Sequence, residues 1–560
     1  MTFEGIVERA GAERPHPDEK KHTKVCVAGL TKDETADSVF GLFEGWAQGT
    51  GGEARIIRSG SFGYYDLEPI VVIENSGRSP ILYRHVTAEV ADLLLSDCLK
   101  AGRTEPDLAW HSVSDEGMEG IPRASEVPLV ALQRRIALGN CGLVDPGDVG
   151  HYIAARHGYE GLATALRMGR AGVLEELKKA CSVDPCNDAG FRADAWQSLP
   201  EAEGHGPDAS GSGACNAVVC NGVDCDARAL TGRLILDSDP HSVLEALLIA
   251  AYGIGASLGI ICVASEDDPW RARLLRLVEQ MKDYGLLGLD ILGSGFDCEM
   301  EIRPVPRSLI LCEDSALLCA LEGRQTMPAV RDAFARPRRF GDKRRLVLDI
   351  ESLAKVAAIF GRRAPRSSRT GPGPTTETKV ITLSGDIVHP YTVEVPLGIS
   401  LDCIINLMGG GIRDSAPLKA MRLGGPTAAY WGDHELDRVV GREALEAAGP
   451  HTGGVLEVVS GETCMVERTE RLASYLHGES CGRCLFCREG TLQVADILRD
   501  IAAGDGSTQD LDFLINLAKA MKEGSLCPFG RNAGDPVVSS IGLFRSDYEA
   551  HLREKRCPKA

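Results

Sequence analysis

The chain has 560 residues, of which 44% are hydrophobic and 25% are charged, a balance typical of a multidomain globular protein. Its formal net charge of -19 argues against nucleic acids and anionic membranes as partners, because both bind basic surfaces. The first 22 residues lack the apolar core of a signal peptide. We therefore expect a cytoplasmic protein whose 19 cysteines are metal ligands or small buried side chains.

After an N-terminal tail at 1–21, residues 22–110 predict a small α/β domain. The strand TKVCVAG precedes the helical segment TADSVFGLFEGWAQ, strands follow at EARIIRSG and PIVVIEN, and a helix runs from Thr87 to Leu99. This order of elements is typical of a thioredoxin-like module. Residues 111–180 predict a connector followed by helices.

Residues 181–361 alternate predicted strands and helices, which indicates an α/β domain with a largely parallel sheet. Within it, residues 246–264 form a stretch of 19 positions without a charge, close to the length of a membrane span. Several glycines divide this stretch. We therefore favour a buried helix ending near Tyr252, a glycine-rich turn and a buried strand, GIICVA, over a lone membrane span.

The last third of the chain predicts two more domains after a linker. Residues 362–378 are rich in Pro, Gly, Ser and Thr and predict that linker. Residues 379–460 predict a β-grasp-like module of the SLBB type, and residues 461–560 predict a helical bundle. The expected fold class is therefore α/β and multidomain.

The helical region contains the cysteine run CGRCLFC, which places Cys481, Cys484 and Cys487 at C-x-x-C-x-x-C spacing, and the later segment SLCPFG supplies Cys527. Three close thiolates and a distant fourth are typical of [4Fe–4S] ligation. Zinc sites usually arrange their ligands as two separated pairs, so zinc is the weaker alternative, together with unligated thiols. Arg488 would lie beside the anionic cluster, and Gly490 would allow close backbone approach where a helix begins.

Longer segments around these cysteines carry a resemblance to a known family. They are ESCGRCLFCREGT, SLCPFG and DPVVSSIGLFRSDYEAHLREKRCP, with NCGLVDPGDVGHYIAARHGYEGLATAL, DPHSVLEALLIAAYGIGAS and LLGLDILGSGF further upstream. The chain resembles the flavin- and NADH-binding subunit of respiratory complex I, and looks closer to the diaphorase-type version in soluble electron-bifurcating hydrogenases and dehydrogenases. The resemblance implies a complex-I flavoprotein-like domain at 181–361, FMN and NADH binding, and other iron–sulfur and flavin subunits as partners.

The chain departs from this family at the flavin site. The family's loop of the type GRGGAGFPTG matches residues 181–196 here, which lack its glycines before Ala189 and carry three aspartates, so a phosphate would meet side chains and negative charge. The family's CNADEGEPG, GEET and NNVET are only partly kept, at 220–228, 312–315 and 348–352. Taken together, these changes predict that FMN and NADH binding is lost or heavily altered. If the nucleotides do bind, the surviving contacts would be Asn221, Asp224, Glu313 and Asp314.

The thioredoxin-like domain also departs from the family, because it lacks most of the cysteines that hold a cluster in relatives. Relatives hold a [2Fe–2S] cluster with four cysteines, of which only Cys26 remains here, because the other positions are Thr31, Ser61 and Tyr65. One thiolate cannot hold such a cluster, so we expect none and a domain kept as a scaffold, its loop still shaped by Gly60 and Gly63.

The remaining cysteines leave two interpretations open. Five of them, at Cys181, Cys186, Cys215, Cys220 and Cys225, recur at five-residue spacing, which favours small buried residues over a replacement metal site. Cys557 is expected to have no local partners, and a further set is expected to be core or incidental thiols: Cys262, Cys298, Cys312, Cys319, Cys403 and Cys464.

Three functions are compatible with these patterns. The first is an iron–sulfur subunit that relays single electrons through one [4Fe–4S] cluster in a larger redox complex, with its flavin site lost. The second is an active subunit that passes electrons from NADH to FMN and then to the cluster. The third is an architectural paralogue in which the cluster only holds the helical domain together.

Overall fold

In the computed structural model, the described residues are 2–13, 23–30, 33–50, 54–75, 78–101, 103–113, 118–183, 215–264, 269–329, 339–340, 343–361, 377–447 and 454–557. Within them the chain forms three five-stranded sheets followed by a helical bundle, so the mixed α/β prediction is confirmed. The predicted tail at 1–21 holds a helix over residues 3–13, and the predicted linker lies mostly outside the described residues.

The strands are β1 Thr23–Ala28, β2 Ala54–Ser59, β3 Ile70–Glu74, β4 Ile81–Tyr83, β5 Ala109–Ser112, β6 Cys215–Asn221, β7 Leu258–Ala264, β8 Glu299–Val305, β9 Arg339–Phe340, β10 Lys343–Asp349, β11 Thr378–Gly385, β12 Thr392–Pro396, β13 Leu418–Gly424, β14 Trp431–Gly432 and β15 Val455–Ser460.

The α-helices are α1 Phe3–Glu13, α2 Glu34–Gln48, α3 Ala88–Leu93, α4 Pro128–Ala131, α5 Val149–Arg156, α6 Glu160–Met168, α7 Arg170–Val183, α8 Thr231–Ser238, α9 Pro240–Ile254, α10 Pro269–Asp283, α11 Asp314–Leu321, α12 Ile350–Phe360, α13 Arg442–Ala447, α14 Met465–Gly478, α15 Leu485–Ala503, α16 Thr508–Gly524, α17 Pro528–Asn532 and α18 Asp535–Glu554. Two π-helical segments span Leu94–Lys100 and Cys403–Met408, and short 3-10 turns span Ala124–Glu126, Ile291–Gly293, Leu309–Cys312, Arg413–Ser415 and Asp433–Glu435.

The first sheet has the strand order β2-β1-β3-β4-β5, with β1 parallel to β2 and the other neighbours antiparallel. The apolar side chains of β1 and β3 alternate between its two faces, and one face packs on α2 through Phe43. Asp33 caps α2 by accepting the backbone N–H groups of Thr35 and Ala36. The predicted strands and helix of this region are therefore present, and its assignment as thioredoxin-like remains a prediction.

The loop that follows β2 is held by hydrogen bonds at the positions where relatives carry cysteines. Ser61 donates to the Glu68 carboxylate, and the Tyr65 hydroxyl donates to Thr392 Oγ1 over 3.0 Å. A Cβ on Gly60 would lie 2.4 Å from the Ser238 Cα, so only glycine fits where this loop meets α8. These contacts dock the loop onto α8 and onto β12.

The second sheet has the order β8-β7-β6-β10-β9 and is parallel except for β9. The uncharged stretch at 246–264 divides as predicted: α9 ends at Ile254, Gly255 adopts a left-handed φ of 72°, and β7 begins at Leu258. No helix in the described part of the chain is long and apolar enough to cross a membrane. Strand β8 ends at Val305, and Ser308 then caps a 3-10 turn over Leu309–Cys312.

The third sheet has the order β12-β11-β15-β13-β14, with β11 and β15 parallel at its centre. Two buried carboxylates connect it to the rest of the molecule. On β12, Glu394 accepts the backbone N–H groups of Ile136, Ala137 and Leu138 over 2.6–3.1 Å. In the first turn of α12, Glu351 pairs with two lysines on either side of the predicted linker.

Glu351 is the charged group that ties α12 to β11. Its oxygens lie 2.9 Å from Lys355 Nζ and 2.5 Å from Lys379 Nζ, and Oε1 also accepts the Val380 N–H over 3.0 Å. Burial by itself would raise the pKa of this carboxyl. The two ammonium groups outweigh burial and lower the pKa of Glu351 to about 2, below its usual 4.5.

Glu351→Gln is therefore expected to lower the free energy of unfolding by about 3 kcal/mol at pH 7, because two buried ammonium groups lose their counter-charge. The Glu351 carboxylate stabilises the fold fully above pH 4.5, and its contribution is lost as the pH falls from 4.5 towards 2. Urea unfolding of both proteins at pH 7 and pH 4 should show the difference shrinking at the lower pH. Glu549→Gln, which breaks an exposed pair with Arg545, should change stability by less than about 0.5 kcal/mol. Equal losses in the two variants would contradict this account.

Candidate metal centre

The four motif cysteines lie where two helices begin. Helix α14 ends at Gly478, a short loop carries Cys481, and Cys484 occupies the N-cap position of α15, so that Cys487 falls in the first turn of that helix. Cys527 is the N-cap of α17, immediately before Pro528. The loop turns at Gly482, whose φ of 74° is left-handed and suits glycine.

Burial and mutual proximity dominate the electrostatics of these thiols. Cys487 and Cys527 are buried, and Cys481 and Cys484 are half-buried in the same apolar cluster. Burial, together with the charge of the other three sulfurs, raises the pKa of Cys487 to about 12. Burial likewise raises the pKa of Cys527. Thiolates at these two buried positions therefore favour compensating positive charge, which a bound iron–sulfur cluster would provide.

The spacing of the sulfurs discriminates between a cubane and zinc. A tetrahedral zinc site with Zn–S bonds near 2.3 Å holds its sulfurs about 3.8 Å apart. All four thiols belong to the described part of the chain, and no three of them have their sulfurs within 4.8 Å of one another. Their spacing is therefore wider than a single tetrahedral zinc ion requires, which favours the cluster over the zinc alternative.

The surroundings of the thiols also fit an iron–sulfur cluster. The Ser525 hydroxyl is buried without a hydrogen-bond partner among the described residues, so it is free to donate to sulfur. Ser480 Oγ lies 3.4 Å from Cys487 Sγ. A Cβ on Gly530 would come within 2.9 Å of the Cys487 Cβ, so glycine is required for this close approach. Glu479 fixes the loop to the second sheet by accepting from Ser308 Oγ over 3.0 Å and from the Leu309 N–H over 2.6 Å.

One predicted role around the cysteines needs correction, and another remains a prediction. Arg488 donates from Nη1 to the Gly482 carbonyl of the cysteine loop over 3.0 Å and pairs with Glu489, and its role as a cation beside the cluster stays a prediction. Gly490 lies inside α15 beyond its first turn, where an added Cβ would come 2.5 Å from Met521 Cγ. Its small size therefore lets α15 pack on α16 and does not serve approach to a cluster.

The entrance to this centre is apolar and exposed. Leu485, Phe486 and Leu526 adjoin the ligand cysteines in sequence, and 60%, 48% and 44% of their surfaces are exposed. Large apolar side chains grouped on a surface mark an interaction site more often than chance exposure does.

The four predicted nucleotide contacts are all at the carboxyl end of the second sheet or just beyond it, but three of them are engaged in local structure. Asp224 caps α8 by accepting the N–H groups of Gly232 and Arg233 over 2.8 and 2.9 Å, and burial raises its pKa to about 6. Glu313 caps α11 through the Ala316 N–H over 3.1 Å. Asn221 donates to the Leu311 carbonyl over 3.0 Å. Asp314 lies in the first turn of α11.

Of the five cysteines at five-residue spacing, the two whose side chains the structure describes, Cys220 and Cys225, do not belong to a metal-ligand group. Cys186 and the side chains of Cys181 and Cys215 lie outside the described part of the structure. Cys220 is buried in β6, and Cys225 donates to the Val223 carbonyl over 3.5 Å. Its hydrogen bond with Cys312, together with burial, raises the pKa of the Cys312 thiol.

The expectation that Cys557 has no local partners is wrong. Its thiol lies with Cys464 and His551, and the ligand atoms of the three are all within 4.8 Å of one another, with 3.5 Å between Cys464 Sγ and His551 Nε2. The other ring nitrogen, Nδ1, lies 2.9 Å from the Asp547 carbonyl, which orients the ring. Two thiols and an imidazole are ligands that zinc accepts. The spacing of His551 and Cys557, H-x5-C, is the feature of the sequence that could have indicated this group. Only the fold brings Cys464, which is distant in the sequence, next to these two residues.

Comparison with known proteins finds two matching family models. Residues 196–358 match the Nuo51 FMN-binding domain, and residues 467–551 match the NADH-ubiquinone oxidoreductase-F iron-sulfur binding region. The second match contains all four motif cysteines.

Two similar relatives match over most of their length. The NADP-reducing hydrogenase subunit HndC of Solidesulfovibrio fructosivorans is 34% identical over 427 residues, which cover 76% of this chain and 85% of the relative. An NADH-quinone oxidoreductase subunit of Streptomyces coelicolor is 33% identical over 406 residues, covering 72% and 88%. A crystal structure of an NAD+-reducing [NiFe]-hydrogenase in the air-oxidized state superposes with a TM-score of 0.62 at 21% identity, covering 98% of this chain and 88% of that one, which establishes a shared fold.

Replacing Cys487 by Ser should remove most of the bound iron, because a hydroxyl is a poor substitute for a buried thiolate ligand. We expect about four irons per chain in the parent protein and less than about one in the variant, with loss of the broad visible absorption of the cluster. Cys403→Ser, a half-buried cysteine on the third sheet's π-helical segment, is the matched control and should keep its iron. Undiminished iron in Cys487→Ser would contradict the assignment of the centre.

Proposed function

The chain belongs to the NuoF-like family of redox-complex subunits, and from that premise we propose that it relays electrons through a single [4Fe–4S] cluster and has lost FMN and NADH binding. Cys481, Cys484, Cys487 and Cys527 would hold the cluster. When bound, the cluster supplies one-electron chemistry at a site buried on one side and open on the other. The single observation that carries the proposal is that the four thiols lie in or beside one apolar cluster at the starts of α15 and α17, whereas three of the four nucleotide contacts are engaged in local hydrogen bonds.

The protein's own residues support the cluster half of this proposal. They hold the thiols at the starts of α15 and α17, exclude water with the apolar side chains around Cys487 and Cys527, and offer the Ser525 hydroxyl as a spare donor. The 19-residue helix α15 directs its positive end towards the thiolates, which favours the negative charge of a thiolate-bound cluster.

Loss of flavin binding is supported by the hydrogen bonds that the surviving contact residues make within the protein. The carboxylates of Asp224 and Glu313 accept backbone N–H groups at the N-termini of α8 and α11, and the Asn221 amide donates to the Leu311 carbonyl. A carboxylate that must leave a helix cap to reach a ligand forfeits about 1 kcal/mol of helix stability. The family's glycines that precede Ala189, which would let backbone N–H groups approach a phosphate, are missing from residues 181–188.

An active NADH dehydrogenase subunit is the second candidate, and one observation favours it. The match to the Nuo51 FMN-binding domain spans residues 196–358, which includes all four candidate contacts. In that case Asn221, Asp224, Glu313 and Asp314 would contact the nucleotides, and NADH would reduce FMN before the cluster. An architectural subunit whose cluster is only structural is the third candidate.

The partners would be other iron–sulfur and flavin subunits of a hetero-oligomeric complex in the cytoplasm. Leu485, Phe486 and Leu526 offer an apolar surface next to the cluster, where a partner could approach closely enough for electron transfer. Three units, a thioredoxin-like domain at 22–110, a degenerate flavoprotein-like domain at 181–361 and a β-grasp-like module at 379–460, would then serve as the scaffold that positions the helical domain.

Cofactor analysis of the complex isolated with its natural partners tests the flavin half of the proposal. After subtraction of flavin bound to other subunits, we expect less than about 0.1 FMN released by acid per chain, with about four irons retained. The chain alone should not reduce a dye from NADH. Stoichiometric FMN together with NADH-dependent dye reduction would establish the active dehydrogenase and overturn the proposal.

Cys484→Ala distinguishes an electron relay from a structural staple. If the cluster carries electrons, the assembled complex should lose electron transfer between its outermost cofactors by at least about tenfold while the subunits remain bound. The reduced-cluster EPR signal should disappear in the same sample. Unchanged electron transfer without that signal would leave only the architectural role.

A further inference from the structure

A second cavity, remote in function from the cysteine centre, lies where the second sheet, the third sheet and the helical bundle meet. It has a volume of about 330 Å³, within the roughly 300–1,000 Å³ usual for small-molecule sites. Four arginines line it, and they face only three carboxylates: Arg228, Arg422, Arg468 and Arg471 against Asp226, Glu457 and Glu467. The wall therefore has an excess of positive charge.

Two of the arginines are fully used by the protein. Arg422 donates from Nε to Glu457 Oε2 over 2.8 Å and from Nη1 to the Pro426 carbonyl over 2.7 Å, and its Nη2 also pairs with Glu457. Arg228 engages Asp226 through Nε and Nη2 and reaches Glu457 through Nη1 over 2.9 Å. These two guanidinium groups anchor the buried Glu457 and fix the shape of the cavity.

The third arginine has donors to spare. The guanidinium of Arg468 makes a single hydrogen bond to a protein atom in the described part of the chain, from Nη2 to Glu457 Oε1. Its Nε–H and Nη1–H groups are left for another acceptor. Because Arg468 lies on α14 and lines the cavity, those donors are available to a bound molecule.

A buried hydroxyl belongs to the wall of the same cavity. Tyr430 lines the cavity, and its hydroxyl is buried without a hydrogen-bond partner among the described residues. Burial raises the pKa of this phenol, so the hydroxyl stays protonated and can donate. An unpaired buried hydroxyl costs roughly 1–3 kcal/mol, a cost that an acceptor in the cavity would remove.

We propose that this cavity binds a phosphate group, held by the free donors of Arg468 and the hydroxyl of Tyr430. Excess positive charge excludes a cation, and the unsatisfied donors select an acceptor with several oxygens. Arginine forks match the oxygens of a phosphate geometrically, and a tetrahedral dianion can accept from both side chains at once. None of the four candidate nucleotide contacts lines this cavity, and its Asp226 and Arg228 lie at the end of the segment 220–228 that contains two of those contacts. The proposal does not depend on the electron-relay proposal.

Calorimetric titration of the full-length chain tests the proposal, with inorganic phosphate, AMP and adenosine as three probes at constant ionic strength. Phosphate and AMP should bind, and adenosine should not. AMP binding tenfold or more tighter than inorganic phosphate would identify a phosphorylated organic molecule as the ligand class. Equal affinities would identify the free anion. Absence of binding by both phosphate-containing probes would overturn the proposal.

Variants locate the binding. Arg468→Gln should weaken phosphate binding at least about tenfold, and Tyr430→Phe, which removes one oxygen atom and preserves packing, about threefold to tenfold. Arg499→Gln, an exposed arginine of α15 outside the cavity, is the matched control and should bind as the parent does. If Arg468→Gln fails to fold, Tyr430→Phe still decides the matter. Unchanged affinity for phosphate in Tyr430→Phe would show that phosphate binds elsewhere and would overturn the proposal for this cavity.

Discussion

The arrangement of the helical domain depends on bringing the starts of two helices together so that four thiols face one space. Cys484 and Cys527 occupy the N-cap positions of α15 and α17, and Cys487 follows one turn into α15. Burial raises the pKa of Cys487 and of Cys527, so bound positive charge favours the thiolate form of these two residues. Gly530 makes this geometry possible, because a side chain there would collide with Cys487, whereas Gly490 lets α15 pack on α16.

Buried carboxylates then fix this domain relative to the sheets. Glu479 holds the cysteine loop to the segment after β8. Glu457 forms ion pairs with Arg228 of the second α/β region, Arg422 of the third sheet and Arg468 of the helical domain. Glu351 connects the third sheet to α12, and Glu394 connects it to the connector. Each carboxylate is paired or accepts several N–H groups, as burial of a charge requires. The same Glu457 cluster leaves Arg468 with free donors, so one network provides both rigidity and a potential anion site.

The flavin region illustrates how structural and functional uses of a residue compete. A carboxylate near the end of a β-strand can contact a nucleotide or cap the next helix, and Asp224 and Glu313 are observed in the second role. Capping satisfies backbone N–H groups that would otherwise be unpaired. The sequence alone placed these residues in the second α/β region, but it did not determine which groups their side chains would contact.

Local patterns determined much of this protein before its fold was considered. The C-x-x-C-x-x-C run with Cys527, the helix and strand within the uncharged stretch at 246–264, and the three α/β regions all follow from spacing and periodicity. Only the tertiary structure decided the rest. The grouping of Cys464 with His551 and Cys557, the packing role of Gly490 and the arginine cavity join residues far apart in the chain. The physical reason is that periodicity records which face of an element is buried, whereas a site depends on which elements meet and on which donors remain unpaired once they do.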